Sequence, residues 1–254
     1  MTPLTALIIA KDEEHRLPAC LESIAFCDEV LVVDSGSTDA TREIAQTAGA
    51  RVILRAPWPG FAAQRNLGFD EARHDWILFL DADERISPAL REEVQALRAR
   101  GFDKAGYRVP RVAHYLGRWI RGTDWYPDWQ LRLFDRRRGR CREALVHESV
   151  QVEGAVGRLR GELLHLPYRD IADHLRTIDE YTTLWSKQAF DSGQRTSAAE
   201  MLLSPAFALF RNYVLRGGML FGRAGMTVSM LNSYYTFLKF AKLLERQAEA
   251  PPSR

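Results

Sequence analysis

The first eighty residues alternate between short apolar runs and stretches whose apolar residues recur at helical spacing. Residues 4–10 form an apolar run that Lys11-Asp12-Glu13-Glu14 breaks, and Leu17, Cys20, Leu21 and Ile24 then fall on one helical face. A second run, residues 30–33, ends at Asp34 and the turn Ser35-Gly36-Ser37-Thr38. Asp39 is placed to cap a helix over residues 40–48, which stops at Gly49. A third run covers residues 51–54, a helix is expected over residues 60–73, and Trp76-Ile77-Leu78-Phe79-Leu80 is the fourth run. Continuous apolar runs bounded by polar residues are the mark of strands buried on both faces. Alternated with helices, they predict a parallel, doubly wound α/β sheet.

The fourth run stops at Asp81-Ala82-Asp83-Glu84. Ligands of open α/β sheets gather beyond the carboxyl ends of the strands, so these acids are expected in the crevice. The i, i+2 spacing lets Asp81 and Asp83 converge on one hard divalent cation, Mg²⁺ being commonly held by one or two carboxylates plus substrate phosphate oxygens. A solvated acidic loop is the competing reading, and the buried strand before it brings the two level. Asp34 can accept hydrogen bonds from a ribose or base, or it and Ser37 can satisfy the turn's own amides. No Gly-x-Gly-x-x-Gly follows the first strand and no Gly-Lys-Ser/Thr loop occurs, which disfavours a nicotinamide or flavin cofactor and a P-loop phosphotransferase.

Beyond Glu84 the pattern loosens. Residues 87–100 form an amphipathic helix, with Ser87 as cap and Pro88 at its first position, and residues 107–109 are a candidate strand. Trp119, Trp125, Tyr126 and Trp129 suit either sugar-ring floors or a core. Arg136-Arg137-Arg138-Gly139-Arg140 is expected to be a hairpin turn, solvated or set against an anionic acceptor or lipid headgroups. His147 and Glu148 lie in strand-like sequence, and His165 sits between Leu164 and Leu166, where a core histidine is the ordinary reading. Residues 201–244 contain no Asp or Glu, while Arg211, Arg216, Arg223, Lys239 and Lys242 alternate with aromatic and aliphatic residues. That composition suits an interfacial helix on anionic lipid, or a helical appendage packed on its own domain.

Composition changes little. A chain of 254 residues, 46% hydrophobic, supports one large domain or a domain with an appendage, and a net charge of +2 gives no reason to expect nucleic acid as a partner. Three cysteines make no disulfide framework and suggest a reducing compartment. The opening Met1-Thr2-Pro3 shows no signal peptide, and no uncharged apolar run reaches the ~18 residues of a membrane span. A cytoplasmic location is expected, with the helical tail peripheral on the cytoplasmic face of the inner membrane.

The ordered set Asp34-Ser35-Gly36-Ser37-Thr38-Asp39-Ala40-Thr41, Gln64-Arg65-Asn66 and Leu80-Asp81-Ala82-Asp83-Glu84 resembles a family 2 glycosyltransferase of the GT-A fold. Trp125-Tyr126-Pro127-Asp128, Arg132-Leu133-Phe134 and Val146-His147-Glu148 narrow the resemblance to the bacterial lipopolysaccharide-core β-1,4-glucosyltransferases. The resemblance implies a Rossmann-like mixed sheet with a C-terminal helical extension. Its divisions would be a nucleotide-sugar half over residues 1–110, an acceptor half over 111–170 and helices over 171–254. It further implies that Asp34 holds uridine, that Glu13, Ser37, Arg65 and Asp81 line the donor, and that Asp81, Asp83 and a late histidine, His165, hold Mg²⁺ or Mn²⁺. The family pattern after the first strand is Asn-Glu-Glu. Here it is Asp12-Glu13-Glu14, which adds a carboxylate that must point away from a diphosphate.

The expected activity is metal-dependent, inverting transfer of a sugar, glucose by resemblance, from a UDP-sugar to a lipopolysaccharide-core or other lipid-linked saccharide. Glu148 is the expected base and Asp128 its alternate. Two rivals remain at this point: a haloacid-dehalogenase-like phosphatase with Asp81 as nucleophile, and a non-catalytic sugar-nucleotide-binding protein that docks on membranes.

Overall fold

In the computed structural model, residues 1–57, 60–142 and 149–249 are described. The chain divides into two compact units, Met1–Val112 with Asp128–His165, and Ala113–Pro127 with Leu166–Arg254.

The first unit begins with β1 (Leu4–Ala10), α1 (Leu17–Ser23), β2 (Glu29–Asp34), α2 (Thr41–Thr47), β3 (Arg51–Leu54), α3 (Phe61–Glu71) and β4 (Trp76–Asp81). The apolar runs are strands, and β1 pairs in parallel with both β2 and β4 while β2 pairs in parallel with β3. Leu7, Leu31, Ile77 and Phe79 fill one face, Ile8, Val32, Leu78 and Leu80 the other, as strands covered on both sides require. Gly68 lets α3 lie close on β1, because a Cβ there would meet the Leu7 side chain at 2.6 Å.

The chain continues through β5 (Glu84–Ile86), α4 (Pro88–Arg100) and β6 (Gly106–Tyr115). Ser87 caps α4 by accepting from the Leu90 amide at 3.2 Å. After β7 (Arg118–Ile120) come β8 (Asp128–Asp135), β9 (Gly139–Arg142), β10 (Ser149–Val152), β11 (Val156–Arg158) and β12 (Leu163–His165). The main sheet runs β3-β2-β1-β4-β8-β6-β12-β5, with β8 antiparallel to both β4 and β6. The parallel half therefore continues into an antiparallel one, and the mixed α/β sheet of the GT-A type is borne out. The candidate strand at residues 107–109 extends over ten residues. The arginine-rich turn joins β8 to β9, and its charges are paired: Arg137 with Asp135 at 2.7 Å and Arg140 with Asp70 at 2.7 Å.

The second unit holds β7, paired antiparallel with Ala113, His114 and Tyr115, and the helices α5 (Ile171–Asp191), α6 (Ala198–Phe210) and α7 (Gly222–Glu249). Asp170 and Ser197 cap α5 and α6. A π-helical turn (Arg211–Leu215) and a 3₁₀ turn (Gly218–Phe221) lead into α7. At Gly225 the start of α7 touches the 3₁₀ turn so closely that a Cβ would fall 1.9 Å from the Gly218 carbonyl oxygen. Fully buried Asn212 is the hub of this unit. Its side-chain oxygen accepts from the Asp124 amide at 2.8 Å and from the Asn232 side chain at 2.9 Å. Trp125 donates to Asn232 and packs edge-on to Tyr115, so that aromatic serves the core of its unit. No described helix is long and apolar enough to cross a membrane.

Candidate active site

Three loops meet at the carboxyl ends of β1, β2 and β4. After β1, Asp12 adopts φ 54°, in the left-handed region that Asp tolerates better than most residues. Its carboxylate accepts from the Thr38 amide at 2.8 Å. The departure from the family's Asn thus points into the neighbouring turn. Glu14 accepts from the Ala40 amide at 3.0 Å, and Asp39 in return accepts from the Glu14 amide at 3.1 Å. Asp39 also accepts from the Thr41 amide at 3.0 Å, so it supports the start of α2 from one residue ahead of the cap position. Glu13 pairs with Arg16 at 3.5 Å, and its amide donates to Thr41 Oγ1.

Asp34 is fully buried. One oxygen accepts from the Gly36 and Ser37 amides at 3.0 and 2.9 Å, and the other accepts from the Ser37 hydroxyl. This is the turn-satisfying arrangement: Asp34 and Ser37 are brought together, and their joint effect is to fix the backbone of the β2–α2 loop.

The β4–β5 turn carries the acids. Asp81 Oδ2 accepts from Arg132 at 2.6 Å, and Asp81 Oδ1 faces Arg65 at 3.7 Å. Burial would raise the Asp81 carboxyl, but Arg132 and then Arg65 outweigh it and hold it down at about 2. Glu84 is fully buried rather than open to the crevice. Its Oε1 accepts from Arg132 at 2.6 Å and from Arg111 at 3.1 Å, and its Oε2 accepts from the Asp81 amide at 3.1 Å. Arg111 in turn grips Asp128 Oδ2 through two nitrogens, at 2.8 and 2.6 Å, while Gln130 donates to Asp128 Oδ1 at 2.6 Å. An alternating row results: Arg65, Asp81, Arg132, Glu84, Arg111, Asp128. Arg132 also lies over the Phe79 ring at 4.7 Å, and Arg65 over the same ring at 5.2 Å.

Asp83 faces a different partner. Its Oδ2 is 3.3 Å from His165 Nε2, with 19% and 16% of the two side chains exposed. The β12–β5 register sets this up by placing His165 opposite Glu84, one residue from Asp83. Thus β12 brings His165 to Asp83, whereas Asp81 is engaged by arginines. Among the described residues no cluster of three or more His, Cys, Asp or Glu side chains could by itself hold a metal ion. A partly open carboxylate–imidazole pair nevertheless fits a cation whose other positions are filled by water and diphosphate oxygens. Glu148, with its neighbour His147, lies outside the described residues. Arg132 and Arg111 are the site residues whose roles sequence reasoning missed; the signal for Arg132 was its place in the Arg132-Leu133-Phe134 motif.

The flanking residues of the Gln64-Arg65-Asn66 motif are structural. Gln64 donates to Ser35 Oγ at 3.1 Å, and Asn66 exchanges two 2.9 Å hydrogen bonds with the Cys141 backbone. These contacts anchor α3 to the β2 turn and to β9, with Arg65 between them aimed at Asp81.

A parallel sheet continued by antiparallel strands, with the polar loops gathered at the parallel strand ends, is the architecture of the GT-A fold. Residues 5–153 match the model of glycosyl transferase family 2, and the chain belongs to that family. The lipopolysaccharide core biosynthesis glycosyltransferase LpsC of Rhizobium meliloti is 34% identical over 252 residues, covering 97% of this chain and 93% of that one. An uncharacterized glycosyltransferase of Rickettsia typhi is 27% identical, covering 96% and 88%. Among solved structures, S. aureus TarS 1-349 in complex with UDP-GlcNAc superposes with a TM-score of 0.52 at 13% identity, covering 97% and 92%. The resemblance to lipopolysaccharide-core glycosyltransferases is thereby borne out, and the protein is a glycosyltransferase, not a phosphatase.

Proposed function

We propose that this enzyme transfers a hexosyl group, glucose in our reading, with inversion from a UDP-sugar to a saccharide of the lipopolysaccharide core or another lipid-linked glycan. The observation that carries the reading is the 3.3 Å pairing of Asp83 with His165 beside the acidic end of β4. The likeness to LpsC supports the acceptor class. A nucleotide-sugar donor is supported by the family together with the loop at the end of β2 whose backbone Asp34 and Ser37 fix.

In this reading Asp83 and His165 hold Mg²⁺ or Mn²⁺, which when bound supplies positive charge against the departing diphosphate. Asp34 acts through the backbone it fixes, presenting the Gly36–Ser37 turn to the uridine. Glu13, on the facing loop, closes the same pocket. Arg65 lies between Asp81 and the donor side, where its guanidinium can meet phosphate oxygens. Asp81, held ionised by Arg132, fixes Arg65 in turn. Asp128 has both oxygens already accepting from Arg111 and Gln130. It therefore suits hydroxyl positioning, and the general base is assigned to Glu148.

The test is a pair of variants read by UDP-sugar binding and by single-turnover transfer. Asp83→Asn keeps the shape of the side chain but loses the charge a divalent ion needs. Its donor binding should fall and become indifferent to EDTA; unchanged, EDTA-sensitive affinity would refute the metal assignment. Glu148→Gln should keep donor affinity while transfer drops ~10²–10⁴-fold, the usual cost of losing a general base. Loss of affinity and turnover together would move the base role to Asp128.

A further inference from the structure

Helix α6 and the two short turns after it expose apolar side chains that nothing within their own unit covers. Leu203 and Leu220 are 68% and 74% exposed, and Leu202, Phe207, Phe210 and Leu215 each keep more than half of their surface open. Six side chains of that size within one short stretch of chain leave on the order of 700 Å² bare in sum. The charge around them has one sign. No Asp or Glu occurs anywhere in residues 201–244. Arg211 and Arg216 share one carboxylate, that of Asp124, which leaves the segment with net positive charge. Arg223, at the start of α7, is exposed. The backbone makes the segment compact: the Gly217 turn at φ 69° and the close contact at Gly225 fold the 3₁₀ turn back on α7 and leave Leu220 on the outside.

We propose that residues 202–223 form an interfacial docking element for a bilayer that carries anionic lipid, with the leucines and phenylalanines entering the acyl boundary and Arg216 and Arg223 meeting headgroup phosphates. Three observations select this occupant. The charge is complementary to an anionic surface and to nothing else within the segment. A second copy of the chain would bring two positively charged faces together, since a two-fold interface pairs a patch with itself. The exposed apolar side chains of residues 202–220 are interleaved with arginines in one short stretch that lacks acids, the composition of a segment that lies in a bilayer interface. The element would hold the enzyme where a lipid-linked acceptor resides. Vesicle binding, however, is read without donor or acceptor and stands or falls separately from the assignment of the donor site.

The experiment is co-sedimentation of the full-length protein with phosphatidylcholine vesicles containing or lacking about a third phosphatidylglycerol. The wild type should bind the anionic vesicles at least ~10-fold better than the neutral ones, and salt should weaken that binding. A Leu203→Asp/Leu220→Asp variant with unchanged Tm and circular dichroism should lose at least ~10-fold in vesicle binding. Arg223→Glu, an exposed single change that keeps the apolar face, should lose several-fold and carries the test if the double variant fails to fold. Equal binding to neutral and anionic vesicles overturns the proposal. So does retained binding by both variants, and so does a wild-type dimer, seen by sedimentation velocity, that the double variant dissolves while neither protein binds vesicles.

Discussion

The strand-end site and the C-terminal helices hold themselves together by opposite means. At the site, charge is paired in a row around buried Glu84 and Arg132: from Arg65 to Asp128 the sign alternates at each step. In the helical unit the buried polar groups are largely neutral, with Asn212 bridging a loop and α7, and Tyr115 hydrogen-bonded to His174. Its clearest charged contact, Lys242 to Asp179, sits toward the surface and is shared with Thr182 and Thr183. Buried charge is tolerated only when paired, and the pairing then dictates geometry. The site therefore gains positional accuracy for Arg65 and Asp81 at the cost of dependence on each member of the row. The helices have no such dependence, and they leave apolar surface outside that a folded core would normally take in.

The comparison breaks most directly at Arg132. Arg132→Met fills similar volume and keeps contact with Phe79, but it leaves Glu84 buried with Arg111 alone and Asp81 with Arg65 alone. Removing one partner of a buried ion pair commonly costs about 3–5 kcal/mol. Urea denaturation should show a loss of that size, with donor turnover falling alongside as Asp81, which fixes Arg65, loses its own anchor. Arg132→Lys should recover only part, because an ammonium cannot reproduce one guanidinium bridging two carboxylates. The matched change in the other region, Arg223→Met, should stay within about 0.5 kcal/mol. If Arg132→Met proves as stable as the wild type, the buried row is dispensable for folding and the contrast between the regions fails.

How far the molecule could be foreseen follows the same divide. The four parallel strands were legible because each is a continuous apolar run, and the α4 start because Ser87-Pro88 is a cap with its own local chemistry. His165 was legible only through the family resemblance, since nothing in Leu164-His165-Leu166 separates a metal ligand from a core histidine. The antiparallel register that sets His165 opposite Glu84 is what brings it to Asp83. Glu84 was placed with its neighbours in the crevice, yet it is fully buried, because its partners Arg111 and Arg132 lie on β6 and β8 and no local pattern announces them. Asp81 and Asp83, at a spacing that suggests a shared partner, are turned to different ones for the same reason. In the helical unit, residues 201–244 showed their composition plainly. Which of those side chains stay exposed depended on how α6 packs and on the 3₁₀ turn between Gly217 and Gly222, which no local pattern announces.

The smallest expected effect lies in the neutral core of the helical unit and has a pH signature. His174 is 3% exposed, its Nδ1 is 2.9 Å from the Tyr115 hydroxyl, and its ring stacks on Tyr168 with centroids 4.0 Å apart. Burial pushes the imidazole down from 6.5 to about 4, with Asp173 opposing weakly. Burial also raises the Tyr115 phenol to about 12, so the hydroxyl keeps its proton beside a neutral His174. With the folded value below the unfolded one, the unfolded chain takes up the proton first. The contribution of neutral His174 is therefore complete above about pH 6.5 and is lost as pH falls toward 4. Asp81, held at about 2, stays ionised throughout that window and does not contribute to the loss. Between pH 7 and pH 4.5 that shift corresponds to on the order of 2 kcal/mol. Urea midpoints at pH 7 and pH 4.5, compared between wild type and His174→Gln, measure it. The wild type should lose that much more than the variant on acidification. Parallel pH profiles would mean that His174 is not held neutral by its surroundings, and the helical unit would then share the site's reliance on charge.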